Sequence, residues 1–305
     1  MIVQIMDDLK KRIAKLKKER NALILVHNYC LPEVQEIADH IGDSLGLSIL
    51  ASKADNDVIV FCGVSFMGES AKILNPEKIV LMPEKEALCP MASMCDLRAL
   101  AKYRETHPGT AIVGYVNSTA DTKCEMDLCC TSSNAVKAVA SLKEERVLFV
   151  PDQNLGSYTS SKLPEKNIIR WDGYCPTHHA MTPQMVADMK EKYPKAVVLA
   201  HPECRPPVLE MADYVGSTEG MFTMVRESPA KEFIAFTEEG MRYRLENENP
   251  DKKFYFPYGA ICPMMKMTTL KSVARSLENM DYEIILSKEI IEKASIPLQR
   301  MIGIK

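Results

Sequence analysis

Leu88-Cys89-Pro90-Met91 is the stretch on which the fold turns, because it returns as Tyr174-Cys175-Pro176-Thr177 and as Ile261-Cys262-Pro263-Met264. The three cysteines stand 86 and 87 residues apart. Each Cys-Pro pair follows a short extended run, IVLMP, IIRW or FYFPY, and precedes a polar segment with helical periodicity. A single recurring dipeptide arises by chance, so a true repeat requires other landmarks in the same step. Three series supply them. Apolar runs end in His27-Asn28-Tyr29, Tyr115-Val116-Asn117 and His201-Pro202-Glu203. Hydroxyl-bearing pairs recur at Asp43-Ser44, Thr131-Ser132 and Ser217-Thr218. Strands with a polar exit recur as VIVFCGVSFM, RVLFVPDQNL and EFIAFTEEGM, and each of these series steps by 88 and then 86 residues.

Working outward, the repeat divides the chain into units over 1–107, 108–194 and 195–305. Short apolar strands alternate with helical segments, which implies parallel sheets covered on both faces. The expected fold is therefore α/β, with triplicated three-layer αβα units and short parallel sheets around a pseudo-threefold axis. In the first unit, Leu31-Pro32 open a helix carrying Val34, Ile37, Ala38 and Ile41 on one face, which gives the order β-α-α-β-α-β. In the second, an irregular stretch runs through Lys123, and a short connector joins RVLFVP to NIIRW. A helix from Thr268, a strand YEIILS and a terminal helix have no later unit to start. They are expected to pack back on the first unit and close a ring of three.

A hydrophobic content of 46% with 26% charged residues suits a globular enzyme with ample cores. The net charge of −3 offers no global basic field for nucleic acid or anionic lipid. The basic run KKRIAKLKKER has Ile13 and Leu16 at helical spacing and reads as a solvated amphipathic helix. No apolar run approaches the roughly 18 residues of a transmembrane helix, and Asp7 and Asp8 occupy the place of a signal peptide's apolar centre, so a cytoplasmic chain is expected. Ten cysteines in such a chain point to metal, catalysis or burial rather than to disulfides. Cys62, Cys129 and Cys130 lie in apolar stretches and read as packing.

Functional residues of parallel α/β units gather at the carboxyl ends of the strands. Three units around one axis would therefore aim the histidines, the hydroxyl pairs and Cys89, Cys175 and Cys262 into one central cavity. A 4Fe-4S cubane has a threefold axis, so three equivalent thiolates can hold three irons and leave the fourth open as a Lewis acid. Three buried structural cysteines and a zinc ion on three thiolates are the competing readings. No C-x2-C pair exists, which removes ordinary zinc fingers and ferredoxin-type runs. Tyr29 and Glu203, two residues beyond His27 and His201, are competent proton donors and acceptors. Ser44, Ser132 and Thr218 precede helices and read as N-caps or as anion-binding helix ends. His40, His107, His178 and His179 lack repeat partners and read as structural.

These residues carry a resemblance. HNY (27–29), GDS (42–44), AKILNP (71–76), CPMA (89–92), YVNST (115–119), TSSNAV (131–136), PDQNLG (151–156), GYCPTH (173–178), HPEC (201–204) and VGST (215–218), in that order and spacing, resemble the quinolinate synthase family over nearly the whole chain. The resemblance implies one oxygen-sensitive 4Fe-4S cluster held by Cys89, Cys175 and Cys262. It implies condensation of iminoaspartate with dihydroxyacetone phosphate to quinolinate in NAD biosynthesis, with an aspartate-oxidising enzyme as a possible source of iminoaspartate. It places substrate contacts at His27, Ser44, Tyr115, Asn117, Ser132, His201, Glu203, Ser217 and Thr218, with Tyr29, His27 and Glu203 in catalytic positions. The chain departs from the family pattern at Cys30, Ser65 and Gly68. Outside this family, an iron-sulfur redox sensor or electron carrier and a zinc-dependent hydrolase are the alternatives.

Overall fold

The computed structural model describes residues 2–304; Met1, which begins the first expected unit, and Lys305, which ends the third, lie outside the described residues. Among the described residues twelve strands form three sheets. The first contains β1 (Ala22–His27), β2 (His40–Gly42), β3 (Val58–Cys62) and β4 (Ile79–Leu81). The second contains β5 (Ala111–Tyr115), β6 (Leu128–Cys130), β7 (Arg146–Val150) and β8 (Asn167–Arg170). The third contains β9 (Val197–Ala200), β10 (Tyr214–Val215), β11 (Glu232–Phe236) and β12 (Lys253–Tyr255). Each sheet has its second strand at one edge, then its first, third and fourth, all parallel. Three identical strand orders make the architecture a triplicated αβα one, as the repeat implies.

The central strands read as unbroken apolar runs because both faces are covered; every residue of β3 and β5 is buried. A further repeated residue fixes the short edge strand. Asp39, Asp127 and Asp213 accept the amides of Ile24, Ile112 and Val198 at 2.8, 2.7 and 2.8 Å. Their own amides return a bond to the same residues' carbonyls at 2.9 Å in each unit. Each aspartate thus clips the start of its edge strand to the neighbouring strand.

This clip explains the first departure from expectation. Residues 31–41 are not one helix: a single turn, Pro32–Gln35, is followed by Asp39 and then β2, so the first unit has four strands. In the second unit, Ala120–Lys123 form a helical turn and Leu128–Cys130 a strand, where an irregular stretch was expected. The connector between β7 and β8 is a ten-residue helix, Gln153–Lys162, capped by Asp152 through Leu155 N at 2.6 Å. Its sequence, QNLGSYTSSK, is rich in Ser and Thr and carries little apolar stripe, so periodicity hides it. YEIILS makes one isolated antiparallel bridge, Leu81 to Glu283, rather than a strand. Met280 and Tyr282 there adopt positive φ values of 55° and 60°, which interrupts extended pairing. Helix Leu270–Asn279 packs on helix Ile2–Glu19 and β3, and helix Lys288–Ile302 lies against both helix Ser65–Leu74 and β6.

Candidate active site

In each unit the cysteine follows the fourth strand, and one backbone bond holds its loop. Ser65, Gln153 and Glu239 donate their amides to the carbonyls of Ala87, Gly173 and Ala260, each at 2.8 Å and each two residues before the cysteine. In units two and three a buried carboxylate also accepts the cysteine amide, Asp152 from Cys175 and Glu238 from Cys262, both at 3.1 Å. Val64 holds the matching place in unit one and has no such group. Burial raises both carboxyls, for Glu238 against the opposing pull of Lys266 at 2.8 Å.

The strand ends converge on one cavity of about 150 Å³. Its walls include Cys89, Cys175 and Cys262 together with His27, Tyr29, Ser44, Tyr115, Asn117, Ser132, His201, Glu203 and Thr218. Of the expected site residues only Ser217 does not line it. The Ser217 hydroxyl accepts from Gly220 N at 3.2 Å and caps helix Thr218–Glu227.

Glu203 is the hub of the polar wall. Tyr115 donates its hydroxyl to Oε1 at 2.5 Å, and His178 Nδ1 lies 2.7 Å from Oε2. His178 continues through Nε2 to Thr237 Oγ1 at 3.1 Å, and Thr237 reaches the Tyr29 hydroxyl at 2.9 Å. A continuous hydrogen-bonded chain therefore joins Tyr29 to Glu203. Burial would raise the Glu203 carboxyl, but the adjacent His178 and His201 imidazoles and hydrogen bonds from His178 and Tyr115 outweigh it and hold the group below the usual carboxylate range. Burial pushes the Tyr29 and Tyr115 phenols up, with Glu203 adding to the effect. It holds His27 and His201 down to about 3, so both are neutral near pH 7 and act as hydrogen-bonding groups. His201 Nε2 meets Ser132 Oγ at 3.2 Å.

Two buried polar atoms on the wall have no protein partner, Asn117 Oδ1 and Thr218 Oγ1. Buried polar atoms are almost always satisfied, so these two are free to be completed by a ligand in the cavity. Ser44 and Thr218 open helices of nine and ten residues whose caps are made by the preceding Asp43 and Ser217, which leaves both lining hydroxyls out of the caps. In unit two, Asn134 rather than Ser132 holds the cap position, before the shorter helix Ala135–Ala140.

All three loop thiols are free, and burial raises each, Cys89 to about 12. Among the described residues, the donor atoms that close to within 4.8 Å of one another belong to Cys175, His178 and Glu203, not to the cysteine triad. One zinc ion with three thiolates would draw their sulfurs to about 3.8 Å. The three thiols do not close into such a set, and one soft ligand from each of three units is a donor set that a thiolate-bound cluster could use.

The family described as Quinolinate synthetase A protein matches residues 11–303. The chain belongs to that family. It is 51% identical over 299 residues to quinolinate synthase of Methanosarcina barkeri, covering 98% of both chains. It is 49% identical over 294 residues to quinolinate synthase of Alkaliphilus metalliredigens, covering 96% of this chain and 97% of the relative. Within this quinolinate synthetase fold, the sequence reading missed His178 and Thr237 as members of the site. Thr237 holds the landmark position shared with Gly63 and Pro151, so the repeat pointed to it. His178 has no partner in the other units, and nothing but the fold brings it to Glu203. Cys30 is not a reactive group: its buried thiol donates to Cys62 O at 3.3 Å, as Cys204 does to Phe236 O at 3.5 Å.

Proposed function

We propose that the chain condenses iminoaspartate with dihydroxyacetone phosphate, releasing phosphate and two waters to give quinolinate for NAD synthesis. The observation that carries this reading is the single cavity in which three free cysteines, an ionised Glu203 and a protonated Tyr29 meet two unpartnered polar atoms. Family membership supports it. Cys89, Cys175 and Cys262 would hold a 4Fe-4S cluster, which when bound supplies an iron without a protein ligand as a Lewis acid.

The chain's own residues account for the remaining requirements. Environments that push two titratable groups apart define an acid and a base at one pH. Glu203 is the base that accepts a proton when the carbonyl enolises, and Tyr29 is the acid for a departing hydroxyl. Thr237 and His178 lie between them, so the proton balance can be restored along hydrogen bonds of 2.7 to 3.1 Å. Neutral His27 and His201 supply hydrogen bonds without a competing charge. The Ser44 and Thr218 hydroxyls at the helix starts, with the Asn117 and Ser132 side chains, suit the phosphate and carboxylates of the two substrates.

The test is an anaerobic assay of cluster-loaded protein with dihydroxyacetone phosphate and iminoaspartate, the latter generated by an aspartate-oxidising enzyme. Quinolinate formation, detected by mass, is expected. Its absence from protein with full cluster content would overturn the reading.

A further inference from the structure

We propose that the chain carries a second metal site, for one zinc-class divalent cation, built from Cys175 Sγ, His178 Nδ1 and Glu203 Oε2 and available when the cluster is absent. The three donor atoms lie within 4.8 Å of one another, with Nδ1 at 2.7 Å from Oε2 and 3.2 Å from Sγ. Zinc bonded at ~2.0–2.3 Å holds neighbouring donors roughly 3.3–3.8 Å apart, so entry of the ion widens the Nδ1–Oε2 and Nδ1–Sγ separations by less than about 1 Å. Nitrogen, sulfur and oxygen in one set match a borderline-soft cation and are poor ligands for magnesium or calcium.

What surrounds the donors is as specific as the donors. A ligating histidine ordinarily gives its other ring nitrogen's proton to a fixed acceptor. Here Nε2 is 3.1 Å from Thr237 Oγ1, which itself contacts the Tyr29 hydroxyl. Glu203 keeps Oε1 engaged by Tyr115 and leaves Oε2 for the ion. The Cys175 amide is tied to Asp152. His178 and Glu203 are buried, so neither donor needs to be drawn in from solvent. Three protein ligands would leave a fourth position facing the cavity, the arrangement of an open rather than a closed zinc site.

The proton balance is simple. The proton along the Nδ1–Oε2 contact and the Cys175 thiol proton both leave to solvent, and the imidazole keeps one proton on Nε2. No electron moves. The site's geometry stands apart from the cluster assignment; only the statement that the two metals exclude each other rests on it, because both use Cys175. On that basis a zinc-class ion traps the cluster-free chain in a form that cannot assemble its cluster.

Cobalt(II) titrated anaerobically into the cluster-free full-length protein reads the site directly. One equivalent is expected, with thiolate-to-cobalt charge-transfer absorption. Cys175→Ser, His178→Ala and Glu203→Gln should each weaken it by more than about 100-fold, and Thr237→Val by about 10–100-fold, the range for a removed outer partner. Cys89→Ser and Cys262→Ser should bind as the parent does. Glu203→Gln preserves shape and decides the matter if the His178 variant fails to fold. Zinc loaded beforehand should block cluster assembly in the parent and not in Glu203→Gln. Absence of stoichiometric cobalt, or equal loss in all three cysteine variants, would overturn the proposal. Iron counts on the Cys89→Ser protein run in parallel: a full cluster there would refute the cluster assignment, while the cobalt pattern alone decides the site.

Discussion

Tyr29 and Glu203 stand at the two ends of one hydrogen-bonded chain, and their proton affinities are pushed in opposite senses. Replacing either group without changing its shape should therefore remove proton transfer and leave binding largely intact. Tyr29→Phe and Glu203→Gln are expected to lower kcat by ~10²–10⁴-fold, with KM and cluster content changed far less. Parental turnover in either variant, or loss of its iron, would show that the residue has another role. Burial supplies a second prediction at this scale. His27 and His201 titrate at about 3 in the folded chain and near the ordinary 6.5 when unfolded. Between those values the unfolded chain binds protons that the folded one refuses, so stability is full above about pH 6.5 and falls as the pH drops. Each histidine contributes at most about 1.4 kcal/mol per pH unit to that slope. Urea midpoints of the cluster-free protein at pH 7.5 and 5 should reveal it, and His27→Gln and His201→Gln should each flatten it; an unchanged slope would contradict the burial argument. Most site residues were legible in the sequence because they recur in register. His178 was not, since a lone histidine after a Cys-Pro pair gives no sign of the carboxylate that folding brings to it.

Strands and loops depend on groups that repeat with them. Asp127 satisfies the buried Ile112 amide and receives Arg104 at 3.3 Å. Asp127→Ala strands that amide and should cost about 1–3 kcal/mol in unfolding free energy, whereas Asp127→Asn, which keeps an acceptor, should cost less. Chemical denaturation measures the difference, and equal losses would count against the amide clip. The cysteine loop of unit two crosses closely over the backbone: a Cβ on Gly173 would come within 2.5 Å of Pro151 O. Units one and three carry alanine at the same place, so only this loop is so tightly seated. Gly173→Ala should displace Cys175 and reduce cluster retention while the fold survives; full iron content in that variant would show that the loop yields without consequence. The long apolar strands were evident from composition. The short edge strands β2 and β6 were not, because each is held by one aspartate side chain rather than by a pattern of its own. The helix Gln153–Lys162 escaped notice for the complementary reason that its contacts are made largely by small and polar residues.

Across the whole molecule, one sequence unit used three times produces three sheets of one topology and one cavity to which each contributes a cysteine. The repeat spacing made this architecture readable, whereas the placement of the final two helices depends on packing that no local pattern records. The pairing of His178 with Cys175 and Glu203 breaks the threefold equivalence, giving one face of the cavity its proton-handling groups. The central claim is that Cys89, Cys175 and Cys262 together, and no other cysteine, hold the cluster. Its most direct test is iron and sulfide content after anaerobic purification of ten single Cys→Ser proteins. The account predicts loss of the cluster in those three variants and parental content in the other seven; a full cluster in the Cys175→Ser protein would contradict it.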